Sequence, residues 1–97
     1  MTIEQFQKLI ESIYYDRDSA RGRDRTFLWF AEEVGELARA FARPRDDGGA
    51  NLREEFADVL AWLSTLASLE GVSLQEAAAE KYGAGCPRCG GIPCRCS

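Results

Sequence analysis

The two most apolar segments of this chain carry carboxylates on the side that a helix would bury. In FLWFAEEVGELARAF, Glu33 lies four residues before Leu37, so the two share one face of a helix. In LREEFADVLAWL, Glu55 lies four residues before Val59 and falls in the apolar arc in the same way. Because burying an unpaired charge is costly, any fold of this chain must give these acids either solvent or a cation.

Each of the two segments carries a second acid three residues further on. Glu36 follows Glu33, and Asp58 follows Glu55. Carboxylates at this spacing on a helix have Cβ atoms about 5 to 6 Å apart, close enough to share one cation or to bracket two. Of the four acids, only Glu36 has a basic residue at helical spacing, Arg39. The pattern therefore favours a site for Mg²⁺ or Mn²⁺, and the alternative is an acidic face that meets solvent or another subunit.

The composition limits the partners and the chemistry. Ninety-seven residues, 45% of them apolar, are enough for one modest core. A net charge of −4 argues against binding a nucleic acid polymer. The chain has no histidine, which excludes the Glu-x-x-His pairs of di-iron bundles. We find no signal peptide and no run long enough for a membrane span, so we expect a cytoplasmic protein without a membrane partner.

Local patterns predict four helices and no strands. Capping signatures at Thr2, Asn51 and Ser73 begin three of the helices, and Pro44 ends the second. The charged stretch DRDSARGRDR is predicted to be a loop whose arginines face solvent or an anion. The predicted helices cover residues 3–16, 25–42, 51–70 and 73–83. We therefore predict an all-α, four-helix bundle-like domain over residues 1–83.

Residues 84–97 form a tail of different composition that contains all four cysteines. They follow the pattern C-x₂-C-x₄-C-x-C, and the CPxCG element resembles a zinc knuckle. The pattern predicts a structural zinc site, because disulfides are rare in reducing compartments. The alternatives are zinc ligands shared across a dimer, a redox-active dithiol and a disordered reduced tail. The four cysteines are Cys86, Cys89, Cys94 and Cys96.

The run TFLWFAEEVGELARAF followed by LREEFADVLAWL resembles the MazG-like nucleotide pyrophosphohydrolases of the all-α NTP pyrophosphatase superfamily. The mark of that family is ExxE on one helix and ExxD on the next. The resemblance implies hydrolysis of a nucleoside triphosphate substrate to a monophosphate and pyrophosphate, and a bundle completed as a homodimer or homotetramer. It also implies that Mg²⁺ is held by Glu33, Glu36, Glu55 and Asp58.

Several other residues are candidates for the site, each with a plainer alternative. Glu32 or Glu54 either supports a neighbouring metal ligand or accepts the proton of the attacking water, and the alternative for both is a surface glutamate. Lys81 matches a basic residue of the family and either contacts phosphate or complements the helix dipole. The arginines before the second helix either contact phosphate or lie in a solvated loop; they are Arg17, Arg21, Arg23 and Arg25. Family members often carry asparagine where this chain has Ala79, so the expectation for base and sugar recognition is weaker than that for the metal chemistry.

Two classes of function fit the sequence. The first is a nucleotide-pool house-cleaning enzyme, with related activities on dUTP, dCTP or phosphoribosyl-ATP sharing the same acids. The second is a non-catalytic nucleotide- or protein-binding module that carries a zinc knuckle. Trp29 and Trp62 lie beside the acids and either stack a nucleobase or belong to the core.

Overall fold

The computed structural model describes all residues from Met1 to Ser97 and contains four α-helices and no strand. The prediction of an all-α chain with four helices is confirmed. None of the helices has the length and apolar character needed to cross a membrane. In chain order the helices are α1 (Ile3–Arg21), α2 (Arg23–Ala42), α3 (Ala50–Leu69) and α4 (Leu74–Tyr82).

The starts of α1 and α4 follow the predicted capping signatures. The Thr2 hydroxyl accepts a hydrogen bond from the Gln5 N–H at 3.0 Å, and the Gln5 side chain accepts one from the Thr2 N–H at 2.8 Å. At α4, the Ser73 hydroxyl accepts from the Glu76 N–H at 3.2 Å. These bonds satisfy N–H groups that have no partner within the helix.

The predicted loop between the first two helices is wrong. α1 continues to Arg21 and α2 begins at Arg23, so Gly22 alone separates them. Gly22 has φ 84°, in the region that glycine adopts without steric cost, and one such residue suffices to break the helix. The charged residues before it are compatible with a helix. The arginines of this segment are therefore held on helices.

The predicted cap of α3 is also wrong, because Asn51 lies inside the helix. Gly49, with φ 85°, precedes the first residue of α3. The Asp47 carboxylate caps the helix by accepting the N–H of Gly49 and the N–H of Asn51, both at 2.9 Å. The hydrogen bond from the Asn51 N–H, followed by that from the Gly49 N–H, lowers the pKa of Asp47.

α3 is the central element of the fold. α2 packs along it, α1 packs against it as well, and α4 packs on α1. The buried Gln7 holds α1 to the turn between α3 and α4. Its side-chain amide donates to Ser68 Oγ at 3.1 Å and to the Val72 carbonyl at 2.8 Å, and accepts from the Leu74 N–H at 2.9 Å. This packing places the C-terminal half of α1 beside the middle of α3.

The core of the single chain is thin. Its buried apolar residues are Ile10, Ala40 and Ala67. Leu28 is 69% exposed, and Phe27 and Phe56 are more than half exposed. The radius of gyration is 15.9 Å, whereas a compact domain of this length has about 12 to 13 Å. The single chain therefore leaves large apolar side chains of α2 and α3 uncovered.

Candidate functional site

The packing of α2 against α3 brings three acids together. Carboxylate oxygens of Glu33, Glu55 and Asp58 lie within 4.8 Å of one another. Glu55 and Asp58 are three residues apart on α3, so they project from adjacent turns, and Glu33 meets them from α2. The structure thus assembles three of the four predicted metal ligands.

The electrostatics of this cluster are unfavourable for the protein alone. Burial raises the pKa of Glu33, and the negative charges of Asp58, Glu55, Glu36 and Glu32 raise it further. Glu55 Oε2 is buried and has no hydrogen-bond partner. A buried carboxylate oxygen without a partner is costly, and a divalent cation would supply the missing interaction. The all-oxygen donor set fits a hard cation such as Mg²⁺.

Glu36 and Glu32 lie beside this cluster. Glu36 Oε1 lies 3.7 Å from Arg39 Nη1 in an exposed pair, an arrangement that contributes little to stability. Glu32 is exposed. The charges of both act on Glu33, so both lie close enough to influence the cluster. Their roles as metal ligand and catalytic residue stay predictions.

A cavity of about 230 Å³ opens between α1 and α3, next to the acid cluster. Asp58 belongs to both the cluster and the cavity wall. Sequence reasoning missed part of the contribution of α1, because it placed residues 17–21, which include Arg17, Asp18 and Arg21, in a loop. The polar and aromatic side chains of the wall include Tyr14, Arg17, Asp18, Arg21, Asp58 and Trp62.

Of the predicted phosphate-binding residues, the structure brings Arg17 and Arg21 to this cavity. The guanidinium carbon of Arg21 lies 4.9 Å from the centre of the Trp62 ring. Trp62 in turn stacks on Trp29, with ring centres 6.3 Å apart. Arg25 is exposed on α2, and Lys81 lies on α4 with Nζ 5.7 Å from the centre of the Tyr82 ring. The roles of Arg25 and Lys81 stay predictions.

The sequence profile of the MazG nucleotide pyrophosphohydrolase domain matches residues 21–90. The match includes α2, α3 and α4, and with them both predicted acid pairs. This chain belongs to the MazG family. The resemblance noted in the sequence is confirmed, whereas no curated protein matches the chain.

The MazG match also bears on the ends of the domain. It leaves out most of α1, although α1 contributes to the cavity. It extends to residue 90 and so includes the first two cysteines of the tail. The division of the chain into a helical domain, residues 1–83, and a tail, residues 84–97, stays a prediction.

Beyond the helices of the MazG domain, the tail gathers its four cysteine sulfurs within 4.8 Å of one another. Cys86 Sγ and Cys96 Sγ are 3.7 Å apart, and Cys89 Sγ and Cys94 Sγ are 4.0 Å apart. A tetrahedral zinc site with Zn–S bonds of about 2.3 Å has sulfurs about 3.8 Å apart, whereas disulfide sulfurs are about 2 Å apart. One chain thus offers a complete set of four thiol ligands.

Backbone N–H groups point at these sulfurs, as is common around metal-bound thiolates. Cys89 Sγ accepts from the Arg95 N–H at 3.3 Å and from the Gly91 N–H at 3.4 Å, and these bonds lower the pKa of Cys89. The N–H groups of Cys89 and Arg88 lower the pKa of Cys86 to about 6. Part of the set is therefore predisposed to the thiolate form that metal binding requires.

Proposed function

We propose that this protein is a Mg²⁺-dependent nucleoside triphosphate pyrophosphohydrolase that converts a (d)NTP and water to a (d)NMP and pyrophosphate in nucleotide-pool house-cleaning. The observation that carries the proposal is the convergence of Glu33, Glu55 and Asp58, with Glu55 Oε2 buried and without a partner, in a chain of the MazG family. A triphosphate adds negative charge to a site already lined by carboxylates. Divalent cations are needed to remove that repulsion.

The acids of α2 and α3 hold the cations in this proposal. Glu33, Glu55 and Asp58 bind directly, and Glu36 joins them when its weak exposed pair with Arg39 opens. When bound, Mg²⁺ polarises the phosphoryl group and lowers the pKa of the attacking water. Glu32, one position from Glu33 and exposed to solvent, accepts the proton of that water.

The cavity beside Asp58 receives the rest of the substrate. Arg21 lines it and binds phosphate oxygens, and Trp62 provides an aromatic wall of the kind on which a nucleobase stacks. Arg25 and Lys81 remain proposed phosphate contacts. Neither lines the cavity of its own chain.

We also propose that the chain works as a homodimer or homotetramer. Phe27, Leu28, Leu63 and Val72 line an apolar groove of about 590 Å³ between α2 and the end of α3. Each of these four side chains is at least 38% exposed. Contiguous exposed apolar surface of this kind is typical of protein interfaces.

The cysteine tail completes the proposal as a structural Zn²⁺ site within one chain. The support is the tetrahedral spacing of the four sulfurs and the N–H groups directed at Cys89. Zinc binding keeps all four cysteines reduced, which fits a cytoplasmic enzyme.

The proposed reaction is tested with a panel of canonical and modified (d)NTPs, in Mg²⁺ and in EDTA, by measuring monophosphate and pyrophosphate. Asp58→Asn and Glu55→Gln remove one ligand charge each, and we expect each to reduce kcat by roughly 100-fold or more. Glu11→Gln, an exposed acid of α1, is the matched control and should retain full activity.

The products identify the bond that is cleaved. Equal amounts of nucleoside monophosphate and pyrophosphate support the proposal. Orthophosphate and a nucleoside diphosphate would instead indicate attack at the γ phosphate. If folded protein cleaves no triphosphate with any divalent cation, the chain is a non-catalytic nucleotide- or protein-binding module.

A further inference from the structure

A buried carboxylate of α1 lies at the cavity wall and has no part in the reaction described above. Asp18 is only 6% exposed. Its Oδ1 accepts a hydrogen bond from Arg21 Nη1 at 3.0 Å, and its Oδ2 accepts one from Thr65 Oγ1 at 3.0 Å. Thr65 is itself buried on α3. Asp18 therefore connects Arg21 to the helix that carries Asp58.

Arg21 is held by contacts on several sides. Besides Asp18, its Nη1 donates to Thr26 Oγ1 at 3.3 Å, and its guanidinium lies over the Trp62 ring. The Arg21 side chain is 20% exposed. Both of its hydrogen bonds use Nη1, which leaves the N–H groups of Nη2 and Nε free to bind a ligand. An arginine held in this way has already lost the side-chain entropy that binding would otherwise cost.

We propose that Asp18 is a positioning residue for the substrate. Together with Thr65 it fixes the Arg21 guanidinium at the cavity wall, so that the free N–H groups of Arg21 bind phosphate oxygens of the triphosphate beside Asp58. This inference rests on the proposed function and adds a residue that the MazG match, residues 21–90, does not include. Asp18 offsets part of the positive charge of Arg21, so its contribution to substrate binding is to fix the orientation of the planar guanidinium group.

A purely structural role for Asp18 makes different predictions. If Asp18 only ties α1 to α3, its replacement lowers the melting temperature and leaves the KM for the triphosphate unchanged. If Asp18 positions Arg21, its replacement raises KM, and the effect requires Arg21. A double-mutant cycle separates these outcomes.

The experiment measures KM, kcat and thermal unfolding for the wild type, Asp18→Asn, Arg21→Gln and the double variant. We expect Asp18→Asn to raise KM about tenfold or more, the scale of one charge-assisted hydrogen bond, with a smaller change in kcat. The same substitution should add little in the Arg21→Gln background. Asp16→Asn, which removes an exposed negative charge from the same helix, should leave KM unchanged. An unchanged KM for Asp18→Asn, or effects of the two substitutions that multiply independently, would overturn the proposal.

Two further variants test the same proposal if Asp18→Asn does not fold. Thr65→Val removes the hydroxyl that holds Asp18 Oδ2 while preserving the side-chain shape, and it should raise KM in the same direction. Arg21→Lys keeps the positive charge but loses the planar guanidinium group, so its KM should be closer to that of Arg21→Gln than to that of the wild type. Wild-type KM in both variants would contradict the proposal even if Asp18→Asn does not fold.

Binding of an α,β-methylene triphosphate with Mg²⁺, measured by calorimetry, separates this inference from the proposed reaction. If the wild type binds the analogue without hydrolysing natural triphosphates, the proposed function fails, while weaker binding by Asp18→Asn and Arg21→Gln still supports the positioning role. If all variants bind equally, or if the wild type does not bind, the positioning role is wrong whether or not hydrolysis occurs.

Discussion

Glu33 faces Glu55 and Asp58 across the contact between α2 and α3, and burial together with their charges raises its pKa above the ordinary 4.5. Without a cation, ionised Glu33 therefore destabilises the folded state at neutral pH. Because the folded pKa is the higher one, stability declines as pH rises from about 4.5 towards it and recovers on acidification. A bound divalent cation would relieve the same repulsion at neutral pH.

The destabilising charge of ionised Glu33 leads to a prediction about the melting temperature. In EDTA at pH 7, we expect Glu33→Gln to melt roughly 2 to 5 °C above the wild type, because the substitution removes a partly buried charge that neighbouring carboxylates repel. The same variant should lose both activity and the stabilisation that Mg²⁺ gives the wild type. Calorimetry with and without Mg²⁺ measures both effects, with Glu11→Gln as the unchanged control. A melting temperature below that of the wild type in EDTA would contradict this account of Glu33.

At the level of the helices, the start of α3 depends on Asp47. Its carboxylate accepts the N–H groups of Gly49 and Asn51, which lowers its pKa. We expect Asp47→Ala to lower the melting temperature at pH 7, because two N–H groups of the helix start lose their partner. A lowered folded pKa makes this contribution complete above about pH 4, and it is lost as pH falls through that folded pKa. Thermal unfolding at pH 7 and pH 2.5 measures the difference, with the exposed neighbour Asp46→Ala as the control. Equal destabilisation at both pH values would mean that the carboxylate does not act as a charged cap.

The cysteine tail is the second element whose order we expect to depend on one interaction. Protein purified without chelator should contain one Zn²⁺ per chain, and Cys89→Ser should lose it, because the substitution removes one of the four thiols and the sulfur that accepts the N–H groups of Gly91 and Arg95. Metal analysis measures the content, and amide NMR signals of Gly91 and Arg95 report the order of the tail. Arg88→Ala, which keeps all four thiols, is the control. The zinc site is absent if no metal copurifies and chelation leaves those amide signals unchanged.

For the whole molecule, the thin core and the uncovered faces of α2 and α3 predict self-association. Leu28 is 69% exposed and Leu63 is 38% exposed, and both line the apolar groove. We expect the wild type to sediment as a dimer or tetramer and Leu28→Glu to shift the equilibrium towards the monomer, because a buried charge at an interface is costly. Analytical ultracentrifugation over a concentration series measures the shift, and Lys8→Glu on α1 is the control. A monomeric wild type at high concentration would show that these faces stay uncovered in solution.

The sequence alone determined those features that depend on neighbours along the chain. Apolar spacing predicts four helices, the side chains of Thr2 and Ser73 cap the residues that follow them, and the i, i+3 spacing puts each acid pair on adjacent turns. The cysteine spacing likewise identifies a four-thiol cluster, since its members lie within a few residues of one another. Family membership was recognisable for the same reason, because its motifs are local.

Only the tertiary structure decided what depends on contacts between distant residues. Three such features depend on how different helices pack: the approach of Glu33 to Asp58, the burial of Glu55 Oε2 without a partner, and the hydrogen bond from Thr65 to Asp18.

Local reasoning failed between α1 and α2, where one glycine replaces an expected loop, and at Asn51, where a carboxylate four residues earlier provides the cap. The distance between side chains on two helices is set by how those helices pack, and helical spacing carries no information about that distance.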